Sequence, residues 1–266
     1  MLIVLCGLWV VLFVGYVVAV GGKPVNIDKT GVEEPSGIVY HAGRGTLFVV
    51  GDQGKLYEMK TDGTPVKQRD LAAGGWRDLE GVTVDPATGL VYVAVEGEER
   101  ILEVDPDTFK ILREFQIPRK FRGRTILRGG GQGIEAIEFV PDAKHPEGGT
   151  FFVTNQGFKN SAAEDASALV RVEVPLKSKP KGNANAKILA YVRMGPTDLS
   201  ALHYDAKREH LYVVSDGMNR VMQINFKGKV LKSDTLPGRD QEGFTLDADG
   251  FAYIAQDSGG ILKYKP

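Results

Sequence analysis

Cysteine is almost missing from this chain of 266 residues: Cys6 is the only one, and it lies inside an apolar N-terminal run. The rest of the sequence therefore forms no internal disulfide and offers no thiolate metal site, which excludes zinc ribbons and CxxC redox chemistry. Net charge is missing too. With 33 Lys+Arg against 34 Asp+Glu the chain carries −1, whereas dedicated nucleic-acid binders hold a cationic excess to neutralise phosphates; no nucleic-acid partner is expected. Histidine is scarce, and His41, His145, His203 and His210 show no HxH or HExxH spacing. No serine sits in a GxSxG turn, so nothing marks a nucleophilic triad. RGGGQG (128–133) lacks the GK[ST] ending of a phosphate-binding loop.

At 42% hydrophobic and 25% charged residues, the composition is that of one large globular domain with its own core. Residues 1–20 carry no charge and reach about the 20 apolar residues needed to cross a bilayer as a helix. As a signal peptide this run would be cleaved near Ala19, Gly21 and Gly22; as an anchor it would stay. Either way, residues 1–22 are expected as an apolar helix preceding a folded domain over 23–266. That domain would sit at the cell envelope, periplasmic or on the extracytoplasmic face of the cytoplasmic membrane.

Laying the chain on itself reveals five repeats. Copies open at EEPSGIVY (33–40), DLEGVTV (78–84), GIEAIEF (133–139), DLSALHY (198–204) and DQEGFTL (240–246). Each is followed by an alternating strand whose aromatic position holds Phe48, Tyr92, Phe152, Tyr212 or Tyr253. A third strand follows in all five copies and a fourth in four of them. Period-2 alternation punctuated by Gly, Asp and Pro is the signature of antiparallel hairpins. The expected fold is all-β: a five-bladed β-propeller of four-stranded antiparallel blades. KPVNI (23–27) is expected to supply the strand that the fifth copy lacks and so to close the ring. Residues 157–197 hold too few strand signals for a sixth blade.

Antiparallel pairing brings the start of a blade's first strand and the end of its second to one end of the sheet. Three columns of equivalent residues meet there: Glu34, Asp78, Gly133, Asp198 and Asp240; Ser36, Glu80, Glu135, Ser200 and Glu242; and Asp52, Glu96, Gln156, Asp216 and Asp257. Eleven of these fifteen are acidic, against about two expected by chance. Aspartate at strand ends is ordinary turn chemistry, which accounts for Asp85, Asp105, Asp62 and Asp249 at the other end. Glutamate is not a turn former, so Glu80, Glu135 and Glu242, which begin innermost strands, are expected to face the central channel. Converging carboxylates either gain protons or hold a cation. An all-oxygen donor set favours Ca²⁺, with Mg²⁺ second. Glu80, Glu135 and Glu242 are the first expected ligands, followed by Glu34, Asp78 and Asp198. Asp52, Glu96, Asp216, Asp257, Arg122 and Arg124 form the expected ligand-binding rim.

The EPSG, DLEG, DLS and QEG openings, the LYVVSD strand and the closing DADGFAYIAQD resemble the SdiA-regulated family, envelope proteins distantly related to NHL-repeat propellers. The resemblance implies a five-bladed, calcium-binding propeller behind an N-terminal membrane segment. Two functions stay open. One is a non-catalytic, monomeric module that binds a small molecule or an envelope protein; the other is a metal-dependent hydrolase, lactonase-like or phytase-like, with its cation at the channel mouth. Segment 118–131 (PRKFRGRTILRGGG) either clamps an anionic ligand against the cation or balances nearby carboxylates. Trp76 either floors a ligand site or seals two blades, and 175–186 reads as an exposed linker.

Overall fold

The computed structural model describes residues 22–129, 131, 133–157, 166–195 and 197–266. The run expected as a helix, signal or anchor falls on residues 1–21 and lies outside them. Among the described residues no helix is long and apolar enough to cross a membrane.

Five four-stranded antiparallel sheets follow one another along the chain. Blade one is Pro35–His41, Thr46–Gly51, Lys55–Lys60 and Pro65–Asp70; blade two is Leu79–Val84, Val91–Val95, Arg100–Val104 and Ile111–Gln116. Blade three is Ile134–Pro141, Gly149–Asn155, Ala168–Glu173 and Lys187–Arg193; blade four is Ala201–Asp205, His210–Ser215, Arg220–Ile224 and Val230–Thr235. Blade five is Gln241–Leu246, Ala252–Gln256 and Ile261–Tyr264, with Val25–Asn26 as its fourth strand, Val25 opposite Lys263 and Asn26 opposite Leu262.

In blades two to five the turns between first and second strands owe their shape to aspartate. Asp85, Asp142, Asp205 and Asp247 each accept the backbone N–H two residues on, at 2.9 Å, so the hairpin bends without help from the rest of the fold. Tertiary structure enters at the seams. Five buried apolar clusters each join two neighbouring blades, and the last joins blade five to blade one through Ile38, Leu47, Tyr253 and Ile261. The five aromatics of the repeat sit in these seams.

Nearest the axis, innermost strands approach so closely that small residues are required. A Cβ on Gly81 would lie 2.7 Å from the Ile137 amide nitrogen, one on Gly37 2.7 Å from the Glu80 carbonyl oxygen, and one on Gly243 2.8 Å from the Ile38 amide nitrogen. Atoms do not pack at such distances, so glycine is a condition of the ring at these positions.

Two segments differ from the sequence expectation. The linker 175–186 is a strap: Ala184–Asn185 pairs in parallel with Phe115–Gln116 on the outer edge of blade two. Arg113 holds it from below, donating to the carbonyls of Lys179 at 2.7 Å and Leu176 at 3.2 Å. The strap covers an edge that would otherwise expose unpaired backbone groups. In the basic segment, Lys120–Phe121 and Arg124–Thr125 form a short hairpin.

Candidate functional site

The channel-facing carboxyls are placed by a backbone irregularity that the repeat pattern does not announce. In blade two the register steps from Leu79 opposite Val95 to Gly81 opposite Ala94, leaving Glu80 as an extra residue. Glu242 is extra in the same way between Gln241 and Gly243, and Ser36 between Pro35 and Gly37. In blade three Glu135 and Ala136 together oppose one residue. Such β-bulges bend a strand and re-aim the side chain they carry. Glu80 and Glu242 line a narrow axial cavity of about 10 Å³ with Gly37, Gly81, Ala136, Ser200, Ala201 and Gly243, space for about one water.

Burial is the main influence on all three glutamates, and other carboxyls come next. Glu80 is held well above the ordinary carboxylate range by burial, then by Glu135 and Asp52. Glu135, 7% exposed, is raised by burial and then by Glu96 and Glu242, and it shares a hydrogen bond with the Glu96 carboxyl. Glu242 is pushed up to about 9, first by burial and then by Asp198 and Asp216. Of the three, Glu80 and Glu242 line the axial cavity, and Glu135 is outside its lining. Among the described residues, no three His, Cys, Asp or Glu side chains stand together as the ready-made ligand set of an ion.

The other expected residues divide. Glu34, Asp78, Asp198 and Asp240 all adopt left-handed backbone, with φ of 44°, 52°, 55° and 50°, which costs a non-glycine residue about 1 kcal/mol or more. The cause is local. Each carbonyl accepts the N–H of the residue that ends strand two of its own blade: Asp52 to Glu34, Glu96 to Asp78, Asp216 to Asp198 and Asp257 to Asp240, at 2.9–3.3 Å. Aspartate tolerates this conformation, so that column is explained in part by turn chemistry. Asp198 still faces the cluster, raised by burial and Asp216 and opposed by a hydrogen bond from Gln156; Glu34 and Asp78 are exposed.

Two residues of the strand-two column, Asp216 and Glu96, tie neighbouring blades together, and a third, Asp52, is held within its own blade. Asp216 accepts the Gln241 N–H at 2.8 Å, Glu96 accepts the Gly133 N–H at 2.8 Å, and the Ser36 hydroxyl donates to Asp52. Asp257 is exposed. Gly133 interrupts the acidic column for a steric reason: a Cβ there would lie 2.6 Å from Glu99 Oε1 and 2.8 Å from Glu96 Cγ. Arg122 lies over the Phe121 ring at 5.0 Å, and both Arg122 and Arg124 are exposed on the hairpin. Trp76 packs against the blade-one and blade-two cluster beneath the Arg100 guanidinium, which seals two blades.

Below the glycine constriction lies a second polar layer that the sequence reading left unassigned. Glu138 accepts from Thr83 Oγ1 at 3.2 Å, and its carboxyl is pushed up to about 8 by burial. His203 faces Thr245 Oγ1 at 3.4 Å, and burial lowers its imidazole to about 4. Thr83 and Thr245 also accept backbone N–H groups from the next blade, Phe139 and Tyr40, at 3.1 Å each. The layer therefore works as an inter-blade belt. Its signal in the sequence is the polar residue five positions on from the start of each of four openings: Thr83, Glu138, His203 and Thr245.

Among solved structures, a glutaminyl cyclase from Myxococcus xanthus is similar over 92% of this chain and 94% of its own, with a TM-score of 0.62 at 13% identity. A protein of unknown function from Bacteroides caccae is similar over 83% of this chain and 69% of its own, with a TM-score of 0.48 at 15% identity. The first shows a shared fold. No curated protein matches the sequence. The family model for SdiA-regulated proteins matches residues 11–259, and the chain belongs to that family.

Proposed function

We propose that this protein is a non-catalytic binding or sensing module at the cell envelope whose channel mouth takes up a divalent cation, Ca²⁺ in preference to Mg²⁺. The observation that carries this reading is the pair of bulge glutamates, Glu80 and Glu242, that line one confined axial cavity, with Glu135 close enough to act on Glu80, all three held above the ordinary range by burial and by neighbouring carboxyls. Burying carboxyls together in this way costs stability unless protons or a cation neutralise them. The donors fit a hard cation, since all are oxygen, and three side-chain torsions let each glutamate adjust its reach. Asp198 is the next donor, with Glu34 and Asp78 further out. The uncharged run over residues 1–20 supports an extracytoplasmic location, held at the membrane or released from it. The pairing of Val25–Asn26 with the last blade supports the N-terminal strand as the clasp of the ring.

A catalytic reading is favoured by one feature, the hydrogen-bonded Glu96–Glu135 pair beside raised carboxyls, because groups that titrate away from their ordinary range often serve as acids or bases. A bound cation would polarise a carbonyl or phosphoryl oxygen at that mouth.

Thermal unfolding with Ca²⁺, with Mg²⁺ and with chelator tests the proposal, alongside Glu80→Gln, Glu135→Gln and Glu242→Gln. Ligand at 100 times its dissociation constant adds about 2.7 kcal/mol, which is about 5–10 °C in Tm for a domain of this size. The expected result is a shift of that order, lost in the variants. No shift with either ion, or the same shift in all three variants, overturns it. Hydrolysis of lactones or phosphoesters, or glutaminyl cyclisation, that requires Glu135 would favour the catalytic reading.

A further inference from the structure

The seam between blades three and four repeats the seam between blades one and two, with the parts that plug it removed. In every blade the seam aromatic faces one residue of the third strand: Phe48 faces Glu58, Tyr92 faces Glu103, Phe152 faces Arg171, Tyr212 faces Gln223 and Tyr253 faces Lys263. On the fourth strand that residue is opposed by Lys67, Arg113, Ala190, Lys232 and Val25 respectively.

In blade one the position is buried and fully paired. Glu58, 1% exposed, accepts from Arg44 Nε and Thr46 Oγ1 at 2.8 Å each and has Lys67 Nζ at 3.9 Å. The Lys67 ammonium also caps the ring of Phe109, which comes from the next blade's outer turn and stacks near Phe48 at 5.8 Å. Phe109 is fully buried.

Blade three has the opposite charge and no plug. Thr150 occupies the place of Thr46 and accepts from Arg171 Nε at 3.0 Å, which fixes the guanidinium. Its terminal nitrogens take no partner among the described residues. Ala190 stands where Lys67 would cap the ring. Phe226, the outer-turn aromatic of blade four, still meets Phe152 at 5.5 Å and Tyr204 at 6.0 Å, yet it is 41% exposed. The space left open is a cavity of about 750 Å³ lined by Phe152, Arg171, Ala190, Tyr204 and Phe226, a size that suits a small organic molecule. Lys144 and Lys227 add positive charge at its rim beside two acids: Asp142, which accepts the Lys144 N–H in its own turn, and Glu209, which is exposed. The cavity at the next seam is different, because Lys232 is already paired with Asp234 at 2.7 Å.

We propose that the cavity between blades three and four binds a small organic acid with a flat apolar body, its carboxylate on the Arg171 guanidinium and its ring against Phe152, Tyr204 and Phe226. The ligand's carboxylate supplies the charge that Glu58 supplies in blade one, in the two-pronged geometry a guanidinium favours. Its ring fills the volume that side chains fill there. This site lies away from the channel carboxyls and does not depend on a cation.

Ligand-detected NMR with 2-naphthylacetate and its neutral amide tests the assignment. The acid is expected to bind below about 1 mM and at least about tenfold more tightly than the amide, since hydrogen bonds to charged groups carry that preference. Arg171→Gln should bring acid and amide to equal affinity. R171E/A190K, which copies the Glu58–Lys67 pair, should abolish binding of both, and Phe226→Ala should weaken both; melting curves confirm that each variant is folded. Equal binding of acid and amide to the native protein, affinities unchanged in the variants, or no binding at about 10 mM overturns the proposal.

Discussion

Raising the pH from 6 to 8 in chelator should destabilise this protein, and Glu242 sets the magnitude. Its carboxyl titrates at about 9 in the folded chain against an ordinary value near 4.5. Between those values the folded state holds a proton that the unfolded state releases. The stability associated with this group is therefore fully present below pH 4.5 and is lost as the pH rises towards 9. The slope is about 1.4 kcal/mol per pH unit, so two units remove about 3 kcal/mol, or about 5–10 °C in Tm for a domain of this size. Glu80 and Glu135 are shifted in the same direction and steepen the loss. Differential scanning calorimetry of the native protein and of Glu242→Gln, each at pH 6, 7 and 8, measures it. The amide resembles the protonated acid at every pH, so the variant should show the shallower slope. If Ca²⁺ binds as proposed, saturating Ca²⁺ should flatten the native curve as well, because ligated carboxylates stay ionised. A native Tm that is constant from pH 6 to 8, or a Glu242→Gln slope equal to the native one, would refute the argument that burial holds these carboxyls protonated.

Two further substitutions probe the framework. Gly133→Asp restores the acid that blade three lacks and should cost about 1–3 kcal/mol in urea unfolding, because its Cβ meets Glu99 and Glu96; a neutral effect would mean that the loop yields freely. Arg113→Ala leaves Glu103, 3% exposed, without its guanidinium and unlatches the strap. A loss of about 3–5 kcal/mol is expected in the same assay, together with faster hydrogen exchange at Ala186, whose N–H bonds the Gln116 carbonyl.

Much of the site could be read in the sequence because a propeller repeats itself. Once DLEG and DQEG align, Glu80 and Glu242 become equivalent, and antiparallel pairing alone puts both at one end of their blades. The reading of Asp78 and Asp240 as parts of the same acidic rim was less complete, since their left-handed backbone shows that they also shape a turn. The bulges at Ser36, Glu80 and Glu242 were not legible, because a bulge changes the register by one residue and leaves the apolar alternation on either side intact. The strap was misread for a related reason. ANA carries no strand pattern of its own, and its two paired residues gain their conformation from the exposed edge of blade two.

By itself the sequence determined what depends on local chemistry and repetition: five copies, their hairpins, the aspartate turns and the positions of the seam aromatics. Each follows from residues within a few positions of one another, where alternation and turn preference act directly. Only the tertiary structure decided which equivalent positions are filled and which are left open. Glu58 and Arg171 occupy the same place in the repeat, and nothing local distinguishes a sealed seam from a cavity. The difference lies in Lys67 against Ala190 and in the neighbouring blade's Phe109 against Phe226, side chains brought together by ring closure across long stretches of chain. The approach of Glu80 and Glu242 is of the same kind, since carboxyls from blades two and five line one confined cavity only when the ring brings them to its axis.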